Sequence, residues 1–230
     1  MFFKPWLWIG AGFILLLLIL YQFWVLAHVA WWVSHNPSTS AFMEERLEIM
    51  QEKNPDAELR YRWVPYNLIS NHLKRAVIAA EDAKFVDHEG FDWQGIQRAM
   101  VKNAKQGKIV AGGSTISQQL AKNLFLSGRR TPWRKGEEAL ITLMLERLMT
   151  KQRILEIYLN VIEWGNGVFG AEAASRHYFK LSAAQLGPAQ ASKLAAMVPN
   201  PRYYDQNRNA RGLLRKTRII QRQLGRVELP

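Results

Sequence analysis

The chain has 230 residues, with 31 Lys plus Arg against 19 Asp plus Glu, and a formal net charge of +12. It has no cysteine, which excludes disulfide scaffolds, thiolate zinc sites, Fe–S clusters and cysteine nucleophiles. The charge is unevenly spread: the first 43 residues hold one charged side chain, Lys4, and the remaining 187 hold 30 basic and 19 acidic groups, a net +11. The sequence thus divides into an apolar N-terminal segment and a basic domain long enough to bury one sizeable core.

From Pro5 to Val33 no residue is charged. A helix rises 1.5 Å per residue, so about 20 residues cross a bilayer core of roughly 30 Å. Residues 7–26 include 13 Leu, Ile, Val or Phe, each favouring insertion by roughly 0.3 to 0.6 kcal/mol near the bilayer centre. Trp6 and Trp8 at one end and Trp31 and Trp32 at the other read as an aromatic belt. A cleaved signal peptide is the competing account, but the stretch is long for one and no A-x-A site follows it. Residues 1–33 are therefore expected to be an uncleaved transmembrane anchor. Lys4 precedes it and no Lys or Arg follows until Arg46, which favours a cytoplasmic N-terminus and a domain outside the cytoplasm.

Residues 34–60 read as a connector, with turn-rich SHNPSTS and a short helix in EERLEIMQEK. Helix then follows helix. LKRAVIAAED puts Leu73, Ala76, Val77 and Ala80 on one face. Asp92 caps a helix reaching Ala104, with Gly107 as its stop. Thr115 and Gln118 have capping-box spacing for a helix to about Phe125. Thr131-Pro132 starts a helix to about Met149, and Thr150 caps another through Val161. Further helices are predicted at 171–179, 183–196 and 208–224. No long stretch alternates with period two, so the domain is expected to be mainly α. Gly165, Gly167 and Gly170 fit G-x-G-x-x-G, but without a βαβ context they read as a glycine-rich loop. His88 has no second ligand at metal spacing, so no protein-held metal site is expected.

Two acidic clusters stand out. In EDAKFVDHEG, Glu81 falls at a helix C-terminus, where the dipole disfavours a charged carboxylate, as suits a general base. Read locally, a solvated Glu-Asp pair at a helix end is the simpler account. In RKGEEALITLMLE, Glu137 and Glu138 both lie in or beside the apolar arc, and periodicity does not choose between them. Between the clusters, VAGGSTISQQLAKN frees the backbone before a helix N-terminus, where Ser114, Thr115 and exposed amides can cradle a phosphate. Gln118 and Lys122 are one turn apart on that helix.

With these clusters in order, the chain resembles the family 51 glycosyltransferases, the peptidoglycan polymerases. EDAKFVDHEGF, GGSTISQQLAKN, RKGEE, TKQRILEIYLNVIEWGNGVFGAEAASRHYF and KLAAMVPNP look like their five motifs, over about residues 63–205. Ser117, where the family more often has Thr, is a small departure. The resemblance implies a lysozyme-like α-helical glycosyltransferase domain over 61–205 with a smaller membrane-proximal lobe; the residues after it, 206–230, read as a basic C-terminal helix. It implies Glu81 as the catalytic glutamate and selects Glu138 over Glu137 as the second. It assigns donor-site contacts to Lys122, Arg134 and Lys135, and then to Ser114, Gln118, Asn123 and Arg153. The implied substrate is lipid II, with the growing lipid-linked glycan as donor, in the bacterial inner membrane. No cofactor is implied as required; a divalent cation, magnesium or manganese, is admissible at the donor diphosphate. Cell-wall synthesis or division proteins are the implied protein partners. About 25 residues follow the fifth motif, which leaves no room for the transpeptidase domain of class A penicillin-binding proteins.

Two rival readings differ in class. A lysozyme-like hydrolase would use two carboxylates to cut glycan. An anchored module binding anionic lipid or nucleic acid would use the tail from Arg202 to Pro230, which has eight basic and two acidic residues. No nucleic-acid reader motif is present, and nucleic acid is not expected outside the cytoplasm.

Overall fold

The computed structural model describes residues 5–108, 112–126 and 132–230. The chain is mainly α. Helix α1 (Pro5–Trp32) is followed by α2 (Ala41–Gln51), α3 (Asn71–Glu81), α4 (Trp93–Gln106), α5 (Ile116–Phe125), α6 (Pro132–Leu148), α7 (Lys151–Val161), α8 (Ala171–Phe179), α9 (Pro188–Met197), α10 (Pro201–Gln206) and α11 (Arg211–Gln223). Among the described residues three short strands, β1 (Arg60–Tyr61), β2 (Glu163–Gly165) and β3 (Val168–Phe169), form one small sheet in the order β1-β3-β2. β1 runs parallel to β3, pairing Arg60 with Val168, and β2 runs antiparallel to it.

Local chemistry sets most of the helix ends. Ser40, Ser70, Asp92 and Thr150 each accept a hydrogen bond from a first-turn amide of α2, α3, α4 and α7. Gly107 ends α4 in a left-handed conformation. Thr115 and Gln118 close a reciprocal capping box on α5. The predicted cap of α6 at Thr131 lies outside the described residues. The helix predicted over 183–196 is in fact a 3₁₀ turn at 183–185 and then α9. Pro188 has no amide to continue a helix, and Gly187 begins a new one. The glycine-rich loop at 165–170 is the tight β2–β3 hairpin leading into α8, and α10 was not predicted.

Helix α7 is buried from Ile154 to Val161 except at Glu156, and it forms the axis of the core. Apolar residues on most of its circumference are what a central helix requires. Its Asn160 carboxamide pairs with extended backbone: Nδ2 donates to Val64 O at 2.9 Å, and Oδ1 accepts from the Val64 amide at 2.9 Å. Helices α3, α9 and α11 pack together on one side, and α5 packs between α6 and α7. The two flanking segments join this body. Met43 of α2 is buried near α5, and Leu213, Ile220 and Leu224 of the C-terminal segment are buried near α9 and α3.

Helix α1 has 28 residues, about 42 Å of helix, longer than a bilayer core. Residues Ile9–Trp32 are long and apolar enough to cross a membrane. The surplus length docks on the domain. Val25 and Val29 are buried, and Trp24 and Trp32 pack on Phe125 of α5 with ring centroids 6.1 and 5.2 Å apart. Trp32 is therefore seated against protein as well as placed for a belt.

Gly170 adopts φ +82°, and a Cβ there would lie 2.8 Å from the backbone oxygen of Asn160 on α7. Gly170→Ala is expected to lower stability by about 2 kcal/mol, measured as a fall in the urea unfolding midpoint with an unchanged slope.

Candidate active site

The site is built around the end of α3. Glu81 is its last helical residue, and its side chain is 11% exposed. One turn into α5, Gln119 reaches across: its Nε2 donates to Glu81 Oε2 at 3.1 Å. The hydroxyl of Tyr158 on α7 donates to Gln119 Oε1 at 2.8 Å. The orientation of this amide follows from the carboxylate, which accepts only and so turns the NH₂ group of Gln119 toward itself. Tyr158 is fully buried. Burial, and then the charges of Glu81 and Asp82, push its phenol well above the ordinary range, so it remains an O–H donor.

Asp82 places these groups relative to one another. Its buried carboxylate accepts from the Ile116 amide at 3.0 Å, the first helical amide of α5, and from His88 Nε2 at 3.0 Å. His88 Nδ1 accepts from the Gly90 amide at 3.1 Å, which fixes the Nε2–H tautomer. A polar cleft of about 450 Å³ opens beside this network. Gln119, Lys122 and Asn123 of α5, Tyr158 of α7, and Asn200 and Arg202 line it. Glu163 lies at its floor, paired with Arg202 at 3.1 Å and Arg46 at 3.4 Å. Burial raises the Glu163 carboxyl above its usual range, against the opposing pull of the two arginines. A larger groove of about 480 Å³ lies between α1 and α6 and is apolar, lined by Leu18, Phe23, Leu26, Trp133 and Leu140; it is not the cleft beside Glu81.

The other sequence-predicted residues fall in several places. Glu138 on α6 is 4% exposed and takes the Lys135 ammonium, whereas Glu137 faces the α1 groove. The fold thus separates the two glutamates that periodicity left together. Arg134 sits one residue before Lys135, in the first turn of α6. Ser114 is exposed just before the cap of α5. Asn123 donates back to Gln119 O at 2.7 Å. Gln118 is 4% exposed and turned back, its Oε1 accepting from the Thr115 amide at 3.0 Å, so its side chain serves the cap. Arg153 lies away from Glu81. Its guanidinium donates to Trp32 O at 3.0 Å, His35 O at 2.6 Å and Glu156 Oε2 at 2.6 Å. It satisfies carbonyls at and just beyond the C-terminal end of α1 with the charge sign that end favours.

Asp82, Gln119 and Tyr158 were not singled out from sequence. For Gln119 a signal existed: the capping box already commits Gln118 to the backbone, and Gln119 shares a helical face with Lys122 and Asn123. Among the described residues no group of three His, Asp or Glu is arranged to hold a metal ion, and Glu138 already faces the Lys135 ammonium.

A sequence model of the family described as Transglycosylase matches residues 47–225. The chain belongs to the transglycosylase family. It is accordingly an enzyme, a glycosyltransferase. The match takes in α3 to α11, so Glu81, Gln119, Tyr158 and Lys122 lie within the family domain, while Arg46 of α2 lies just before it. The chain is 68% identical over 227 residues to a biosynthetic peptidoglycan transglycosylase of Methylobacillus flagellatus, covering 99% of each chain. It is 69% identical over 212 residues to one of Chromobacterium violaceum, covering 92% of this chain and 93% of the relative. It is 60% identical over 230 residues to one of Nitrosospira multiformis, covering all of both.

Replacing Gln119 with Leu keeps the bulk but removes the donor to Glu81. Gln119→Leu is expected to cut kcat roughly tenfold or more while KM stays within about twofold, measured in steady-state transglycosylation by the full chain.

Proposed function

We propose that this transglycosylase polymerises lipid II, joining the lipid-linked disaccharide units of peptidoglycan through β-1,4 bonds. The observation that carries the reading is one half-buried carboxylate, Glu81, held by Gln119, which itself lines a cleft that presents Lys122 and Arg202. A base must sit within reach of an acceptor hydroxyl, and a diphosphate leaving group calls for positive charge as its bond breaks. The names of the curated relatives agree with this substrate class.

The acceptor is lipid II, and the donor is the growing glycan on its own lipid diphosphate. Glu81 takes the proton of the acceptor GlcNAc 4-hydroxyl. The oxygen attacks the donor MurNAc anomeric carbon from the face opposite the diphosphate. The carbon–oxygen bond to the diphosphate breaks, its electron pair leaves with undecaprenyl diphosphate, and the configuration inverts. Lys122, Arg134 and Lys135 neutralise the leaving charge, with Ser114 and Asn123 at the same helix. Glu138 holds Lys135 in place. A magnesium or manganese ion would be carried by the diphosphate and would offset part of its charge. No step calls for transpeptidase chemistry.

Both reactants carry lipid tails, so the domain belongs beside the bilayer. Helix α1 anchors it with the N-terminus inside and the domain outside the cytoplasmic membrane. Trp93, Met100 and Val101 are exposed along one face of α4, which suits a membrane-facing lobe.

The test is incubation of the full chain in detergent with lipid II, and separately with finished glycan. Lengthening glycan from lipid II is expected, and shortening of finished glycan would favour the hydrolase instead. Glu81→Gln is expected to lower polymerisation at least a hundredfold while lipid II still binds; near-normal polymerisation would remove Glu81 from the role of base.

A further inference from the structure

The basic C-terminal helix carries more charge than packing requires, and its cations are sorted by face. On a wheel of 3.6 residues per turn, Leu213, Ile220 and Leu224 form one stripe, and Lys216 stands about 60° from Leu213. The arginines at 211, 215, 218 and 222 lie about 140° to 200° away, and all four are exposed. Lys216 alone among the cations of α11 thus shares the side that is buried against α3 and α9.

That position brings its ammonium to 3.7 Å from Glu81 Oε1. The two carboxylate oxygens are treated differently: Oε2 accepts from Gln119, whereas Oε1 is buried, has no hydrogen bond among the described residues and lies beside the ammonium. The other titratable groups at this end of α3 are Asp82, already tied to His88 and the Ile116 amide, and the Tyr158 phenol, reached through Gln119. Of the remaining elements packed on α3, α9 carries only Lys193 and the 224–226 turn only Arg226. Neither makes an ion pair with Glu81 among the described residues.

We propose that Lys216 is a positioning residue for Glu81, which pins the buried Oε1 beside α11 and so keeps the Oε2 edge turned toward Gln119 and the cleft that takes the acceptor hydroxyl. This rests on the reading of Glu81 as the base. It gives the C-terminal helix a part in turnover, where one cation of its stripe completes the surroundings of the carboxylate. Lys216 does not itself touch the reacting atoms.

The experiment is the pH profile of lipid II polymerisation by the full chain carrying Lys216→Met, Lys216→Arg or Glu81→Gln, with thermal unfolding measured on each. Removing a cation beside a carboxylate makes protonation easier. Lys216→Met is therefore expected to move the acid limb of kcat toward higher pH by about one unit, and to lower kcat at neutral pH roughly tenfold. Its KM and unfolding midpoint should stay close to those of the parent, and Lys216→Arg should restore both limb and rate. An acid limb unmoved in Lys216→Met overturns the proposal whether or not the rate falls, because a purely structural loss does not shift it. So does a Lys216→Arg variant that remains as impaired as Lys216→Met. A Glu81→Gln variant that polymerises normally defeats the base reading itself, whereas an inactive Glu81→Gln beside an unmoved limb defeats only the role of Lys216.

Discussion

Asp82 is a buried carboxylate at the point where three chain segments meet. It ends α3, it accepts from the first amide of α5, and it holds His88 in the loop between α3 and α4. A charge taken out of water is costly unless its oxygens are fully engaged. Here the α5 amide and the imidazole N–H engage it, and the amide lies at the positive end of a helix dipole. The same junction is closed from the other side, where the Thr115 hydroxyl donates to Gly90 O at 2.7 Å. Once α5 starts there, its next turn faces the end of α3, and Gln119 meets Glu81. The cleft residues Lys122 and Asn123 follow on the same helix. The position of the proposed base relative to the proposed donor site is therefore set by one capping interaction.

A second junction sets how this site meets the apolar helix α1. Arg153 leaves α7, the core helix, and satisfies carbonyls at and just after the end of α1. Phe125, the last residue of α5, packs on Trp24 and Trp32. Through these two contacts the helices that bear Tyr158, Gln119 and Lys122 are joined directly to α1. The exposed apolar residues of α1 and α4, and the apolar groove between α1 and α6, complete a surface that suits the lipid-tailed substrates we propose.

What could be read from sequence was what local chemistry decides. Asp92, Thr115, Thr150 and Gly107 mark helix ends because a cap acts within one turn, and α4, α5 and α7 lie where those residues put them. Glu138 and Lys135 are neighbours on one helix, and the fold only adds that Glu138 is buried. Groups that meet across long sequence separations were not legible. Tyr158 and Gln119 are 39 residues apart, and Arg153 meets Trp32 across 121. The short strands escaped because two or three residues leave no period to detect. Lys216 was hidden for a different reason: its cation resembles its four arginine neighbours until the buried stripe of α11 is known.

A double-mutant cycle on Asp82 and Glu81 tests most directly whether the capping carboxylate acts through the base. The quantity is the polymerisation rate of lipid II by the full chain as Asp82→Ala, Glu81→Gln and the pair, in proteins that keep their helical circular dichroism. Because Asp82 works by placing Glu81, Asp82→Ala should lower the rate at least tenfold in the parent and have almost no further effect in Glu81→Gln. Equal losses in both backgrounds would show that Asp82 acts independently of Glu81, and would contradict the account.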